Sequence, residues 1–274
     1  MPVYHPKKQT QDESRYELTN NNKYLLTIRK SPTSIMLYIG GVHFWCIECQ
    51  IVPDEKIANL SKIEFNEGCS LSGHFERGKD IKTIMRLLIS YIQDHYPNIN
   101  SIQFNDFSYR NCTSTQTIDL ATFYYLLYGK TWYMKHMGAT FANDDDAFIF
   151  YESSERFQKM KSKMKWNDFD SYITAKHPLS VSEIKSVYDS NQTWSSYFLE
   201  LLEKTNIETL CSYMAPWITN FVTKVGRIRF YSPEFSISVP NNLMGKMEYS
   251  IGNYIARGGK YTRRQPRKKG LDLH

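Results

Sequence analysis

Between Ser61 and Tyr151 the spacing of apolar residues changes period several times, and that succession restricts the fold more than any other stretch of the chain. A strand-like run, Lys62-Ile63-Glu64-Phe65, leads through a glycine-punctuated loop, Gly68 to Gly78, into a segment of helical period, Asp80 to Tyr96. A second strand run, Ile99 to Phe104, is followed by a helical run, Leu120 to Leu127, and by the alternating Ala147-Phe148-Ile149-Phe150-Tyr151. This βαβαβ order predicts an α/β sheet whose first crossover opens at a loop suited to an anion.

The flanks have a different character. Residues 1–19 are polar and read as a loosely held arm. Antiparallel strands are expected at Tyr24–Arg29, Ser34–Ile39 and Val42–Val52, with Gly40-Gly41 as a hairpin signal between the last two. Pro53 ends the third, and Asp54–Leu60 reads as a connector or helical turn. After Tyr151, lysine-rich segments of helical period take over. Ser153–Trp166 is amphipathic through Phe157, Met160 and Met164. Ser180-Val181-Ser182-Glu183 forms a capping box, Thr193 is placed to cap Tyr197–Glu203, and Ile207 to Met214 and Trp217 to Val225 follow. Arg227–Tyr231 and Phe235–Val239 alternate like two strands joined at Ser232-Pro233. Four regions are therefore expected: an arm over 1–19, an α/β domain over 20–152, a mainly helical extension with a terminal strand pair over 153–255, and a tail over 256–274.

The 274 residues suffice for a full core, and 15% aromatic with 23% charged residues is a globular composition. No apolar run reaches the ~20 residues of a membrane helix. The lysines at positions 7 and 8 precede no apolar segment, so an intracellular location is expected. Five cysteines, an odd number, predict reduced thiols. Cys46 and Cys49 form a CxxC, but in a strand residues three apart face opposite ways, so they read as packing residues, and no metal is expected.

Gly73-His74-Phe75-Glu76-Arg77-Gly78-Lys79-Asp80 has the glycine and lysine spacing of a nucleotide P-loop. Asp80 stands where a magnesium-ligating hydroxyl is required, and a carboxylate there suits a helix cap better, although Asp106 imitates a Walker B acid.

The same residues resemble the GNAT-type, acetyl-coenzyme A dependent N-acyltransferases. There a strand leads into a loop Q/R-x-x-G-x-G/A, whose amides hold the coenzyme pyrophosphate at a helix N-terminus. Arg77-Gly78-Lys79-Asp80 occupies that place, with Asp80 in the second glycine position. Trp132-Tyr133-Met134-Lys135-His136-Met137-Gly138-Ala139 resembles the family's Y-x-K-x-G-F phrase at one residue greater spacing. The resemblance covers about a third of the chain. It implies a GNAT-like mixed sheet with flanking helices, an α/β (α+β) fold, and acetyl-coenzyme A as cofactor. Arg77, Gly78 and Lys79 would hold the pyrophosphate, and backbone groups near Cys69, Ser70 and Leu71 the pantetheine arm. Glu64 or Glu67 would act as base, Tyr133 would protonate the leaving thiolate, and the sheet would part after Leu60 to admit that arm.

In its frequent Asn, Lys, Ile and Tyr the chain also resembles proteins of large nucleocytoplasmic DNA viruses, which reuse enzyme folds as inert virion or capsid-associated parts. A non-catalytic structural role, with virion proteins as partners, is the alternative expectation. The net charge of +6 lies entirely beyond Ala256, where seven basic residues face one acid. Arg263, Arg264, Arg267, Lys268 and Lys269 predict a mobile tail that contacts nucleic acid or an acidic protein surface.

Overall fold

The computed structural model describes residues 12–64, 66–73, 75–76, 79–228, 234–240 and 244–254. The chain begins with an antiparallel meander, β1 (Asp12–Thr19), β2 (Lys23–Lys30), β3 (Ile35–Gly40), β4 (Trp45–Val52) and β5 (Ile57–Ile63). Helix α1 (Lys79–His95) then crosses to β6 (Ser101–Asn105), which pairs with β5 in parallel. A small hairpin, β7 (Tyr109–Asn111) and β8 (Thr117–Asp119), precedes α2 (Leu120–Tyr128), α3 (Trp132–Met137) and β9 (Thr140–Phe141). Among the described residues the α-helices that follow are α4 (Asp144–Met160), α5 (Trp166–Asp170), α6 (Val181–Ser190), α7 (Trp194–Lys204), α8 (Ile207–Met214) and α9 (Ile218–Phe221). The chain returns to the sheet as β10 (Glu234–Ser238) and β11 (Ser250–Asn253). Among the described residues the main sheet runs β11-β1-β2-β3-β4-β5-β6-β10-β9. It is mixed, because β5 and β6 run parallel while every other neighbouring pair is antiparallel.

Apolar periodicity builds both halves. Along α1, Ile81, Ile84, Met85, Leu88 and Ile92 fall on one stripe, and all are buried. Each such side chain contributes roughly 1.5–3 kcal/mol by leaving water. In the helical region Phe169 is the hub, with ring centroids 4.9 Å from Trp194, 5.1 Å from Tyr188 and 5.4 Å from Phe221. Tyr125 of α2 meets Phe157 of α4 at 6.2 Å, so the two regions share one continuous core. The capping box at Ser180 and Glu183 has both of its reciprocal bonds, and the Thr193 hydroxyl caps α7 through the Ser196 amide at 3.1 Å.

Several expectations are corrected. Asp12–Thr19 is a strand rather than part of an arm; its outward residues are polar because they face water, which hid the alternation. Ile57–Ile63 is a strand rather than a connector, and only Pro53–Glu55 forms a helical turn. The alternating Ala147–Tyr151 lies within α4. Asn143 caps that helix through the Asp145 amide at 2.8 Å, and Asp144, Asp145 and Asp146 complement the positive end of its dipole. Its β-like residues Phe148, Ile149 and Tyr151 are exposed rather than packed in a sheet. β10 inserts between β6 and β9; of the other expected strand, Arg227–Tyr231, Arg227 and Ile228 are not in a strand and residues 229–231 lie outside the described residues.

The cysteines also differ from the expectation. Cys46 is bridged to Cys69 and Cys112 to Cys211, with Cα separations of 5.7 and 5.1 Å, and Cys49 alone is free, buried in the core. Partners 23 and 99 positions apart are brought together by the tertiary fold, which spacing along the chain does not reveal. The opposite facing of Cys46 and Cys49 holds, since only the first reaches the loop after β5. That loop passes so close to the β3–β4 turn that a Cβ on Gly41 would collide with the Gly68 carbonyl.

Candidate active site

The parallel pairing of β5 with β6 is short. It holds at Ile57↔Ser101, Ala58↔Ile102 and Asn59↔Gln103 and then ends. Beyond it β5 stays bonded to β4 through Leu60↔Cys49 and Ile63↔Ile47, while β6 stays bonded to β10 through Phe104↔Phe235 and Asn105↔Glu234. The two strands therefore part, and a cavity of about 760 Å³ lies between them. Leu60 to Glu64 form one wall and Phe104 with Asn105 the other. Ile81 of the first turn of α1 reaches it, the hairpin residues Tyr109 to Asn111 border it, and Tyr124, Trp132 and Tyr133 enclose it with aromatic surface.

Tyr133 is 5% exposed, and its ring meets Phe104 at 4.7 Å. Burial, aided by the Asp106 charge, pushes its hydroxyl pKa far above the usual range. Asp106 itself follows β6 by one position and is buried. Its Oδ1 accepts from the Ser108 amide at 3.0 Å and from the Ser108 hydroxyl. Its Oδ2 is buried without a hydrogen-bond partner. Burial raises the Asp106 carboxyl to about 6, with Asp119 adding in the same direction and Ser108 opposing.

The cavity brings together two of the sequence-predicted catalytic residues. Glu64 sits on its wall beside Lys62, with which it pairs at 2.6 Å, and Tyr133 encloses it. Glu67 is exposed on the loop after β5 and does not line it. Cys69, Ser70 and Leu71 lie where that loop crosses β2 and β4. Their groups are engaged there: the Cys69 amide with Asn66 at 3.0 Å, the Ser70 hydroxyl with Asn22 at 2.8 Å, and the Leu71 amide with Lys23 at 2.8 Å. Lys79 opens α1 and pairs with Glu76 at 3.4 Å; Asp80 accepts the Glu76 amide. Arg77, Gly78 and the tail residues Arg263, Arg264, Arg267, Lys268 and Lys269 lie outside the described residues. Sequence reasoning gave Asp106 only a nucleotide-site role and passed over Ser108 and Arg110. The available signal was position, because ligand sites in open sheets gather at the carboxyl ends of parallel strands.

Among the described residues no group of His, Cys, Asp and Glu could hold a metal ion, and no helix is long and apolar enough to cross a membrane. No protein-family model, curated protein or solved structure matches the chain.

Proposed function

We propose that the chain is an N-acyltransferase of GNAT-like design, transferring an acetyl group from acetyl-coenzyme A to an amine. The observation that carries this reading is the parting of β5 from β6 beside the first turn of α1, with the cavity between them. Parted strands leave backbone groups without sheet partners, which suits an extended amide-bearing arm, and the adjacent helix N-terminus suits a diphosphate. The volume is within the usual range for a small-molecule site. Strand, loop, helix and strand follow in the expected order as β5, α1 and β6; the hairpin and the helices α2 and α3 then lead to β9, which stands after Gly138, whereas the resemblance had its final strand at Ala147–Tyr151, now within α4.

The coenzyme supplies an activated thioester carbonyl. This chain's residues would orient the arm between the strands, exclude water with the aromatic wall, take a proton at Glu64, and offer one from the Tyr133 hydroxyl to the departing sulfur. Titration calorimetry with acetyl-coenzyme A tests the reading, and heat of binding in the micromolar range is expected. No heat at millimolar ligand would leave the fold without this function.

A specific observation favours a second reading, a non-catalytic structural protein on the same scaffold. Asp80 places a carboxylate at the start of α1, tied to the Glu76 amide, where a diphosphate would need to approach. Binding gained only in Asp80→Gly would indicate a scaffold that has lost its coenzyme, whereas binding in the unaltered protein favours the enzyme. The tail, as a nucleic-acid or acidic-surface contact, remains a separate proposal; deletion of residues 256–274 should abolish salt-dependent DNA binding.

A further inference from the structure

Two carboxylates stand near the cavity, and they differ in kind. Glu64 is 55% exposed at the side chain and neutralised by Lys62, an ordinary solvated ion pair. Asp106 is 5% exposed, held by one oxygen, with the other lacking a partner. A buried acceptor left unpaired costs about 1–3 kcal/mol, so it is uncommon in a purely structural position. Ser108 connects it to the site: its hydroxyl donates to Asp106, and the residue itself lines the cavity.

We propose that Ser108 and Asp106 form the proton relay of this cavity, with Ser108 Oγ receiving the proton that the attacking amine sheds and passing its own hydrogen to Asp106 Oδ1. The inference rests on the acyltransferase reading and replaces both Glu64 as base and Tyr133 as acid. As the N–C bond forms and the C–S bond breaks, the amine proton moves to Ser108 and the Ser108 proton to Asp106. The proton on Asp106 then returns through Ser108 to the departing thiolate, so the pair ends as it began. Two titratable groups face Asp106 from the packed elements, Asp119 at the start of α2 and Tyr133 on α3. Burial keeps Asp106 near 6, where a carboxylate accepts a proton far more readily than at its usual value and is still ionised at neutral pH.

The test uses the full chain, acetyl-coenzyme A, and phenethylamine as an aryl-alkyl amine suited to the aromatic wall. Thiol release is followed from pH 5 to 9. Asp106→Asn should bind acetyl-coenzyme A within twofold of the unaltered protein. It should release thiol about 10²–10³-fold more slowly and lose the acid limb near pH 6. Ser108→Ala should slow release, and Ser108→Thr, which retains the hydroxyl, should restore most of it. Melting curves establish that each variant is folded. Thiol release and an acid limb preserved in Asp106→Asn would overturn the relay and leave the acyltransferase reading standing. Coenzyme binding without thiol release in the unaltered protein also overturns the relay. Absence of coenzyme binding overturns the acyltransferase reading and the relay with it.

Discussion

Lys161 in the helical region and Asp106 beside the parted strands are both charged side chains taken out of water, and the fold treats them in opposite ways. Lys161 is 3% exposed, yet its ammonium donates to the Tyr188 carbonyl at 2.8 Å and the Asn191 carbonyl at 3.0 Å, and it lies 3.4 Å over the Tyr188 ring. It thereby bonds a carbonyl in the last turn of α6 and that of Asn191 just beyond it, and offsets its own desolvation. Asp106 has an oxygen left over. A buried charge whose capacity is filled belongs to the architecture, whereas one with capacity to spare is available for a ligand or a proton. The same contrast extends to the surroundings, since aromatic rings fill the space around Phe169, while the space between Leu60 and Phe104 stays open.

The largest effect should come from the filled region. Phe169→Ala is expected to lower the unfolding free energy by about 3–5 kcal/mol, measured in urea, because it removes the ring on which Trp194, Tyr188 and Phe221 converge. A loss under about 1 kcal/mol would mean that the helical core is loosely packed and the contrast with the cavity misplaced.

Lys161→Met should cost roughly 2 kcal/mol by removing the donor to the Asn191 carbonyl and one of the two donors to the Tyr188 carbonyl, which keeps the Asn191 amide. A neutral result would place Lys161 among charges whose removal relieves as much desolvation as it forfeits in bonds.

Asp106→Asn should move the other way, stabilising the protein by about 1–2 kcal/mol at pH 7, since the amide keeps the bonds from Ser108 and removes a buried negative charge. The sign follows from the raised carboxyl: the folded state holds its proton up to about 6, so the stability it contributes is present at acid pH and lost as pH rises through that value. The gain should therefore vanish near pH 4 in thermal melts. Destabilisation at pH 7 would make Asp106 a structural residue like Lys161.

The smallest expected effect is the pH response of Lys161, whose ammonium burial lowers to about 8. The unfolded chain binds the extra proton above that value, so stability should rise by less than about 1 kcal/mol between pH 8 and 9, and Lys161→Met should flatten the rise.

What the sequence disclosed divides along similar lines. Helix α1, strand β6 and the Ser180 and Thr193 caps were readable, because each depends on a short window, an apolar run or a side chain three residues from an amide, whereas only Lys62 and Ile63 of β5 fell within the expected strand. Ala147–Tyr151 misled, because its β-propensity is local whereas its helical state follows from the cap at Asn143 and the acids behind it. β1 was hidden by its polar outward face, and the disulfides by separation along the chain. Of the candidate site, Glu64 and Tyr133 were found through the loop and helix that flank them. Asp106 was read only as a Walker B-like acid and Ser108 was passed over, since a single acid after a strand does not point to this cavity until the strands on either side are seen to diverge.

The hairpin that borders the cavity is fastened to α8 at three points. Cys112 is bridged to Cys211, Arg110 pairs with Glu208 at 3.2 Å, and the Ser212 hydroxyl donates to the Cys112 carbonyl at 3.1 Å. A loosening anywhere in the helical region is thus transmitted to a wall of the cavity, so the chain should lose binding and fold together, in one cooperative step rather than two.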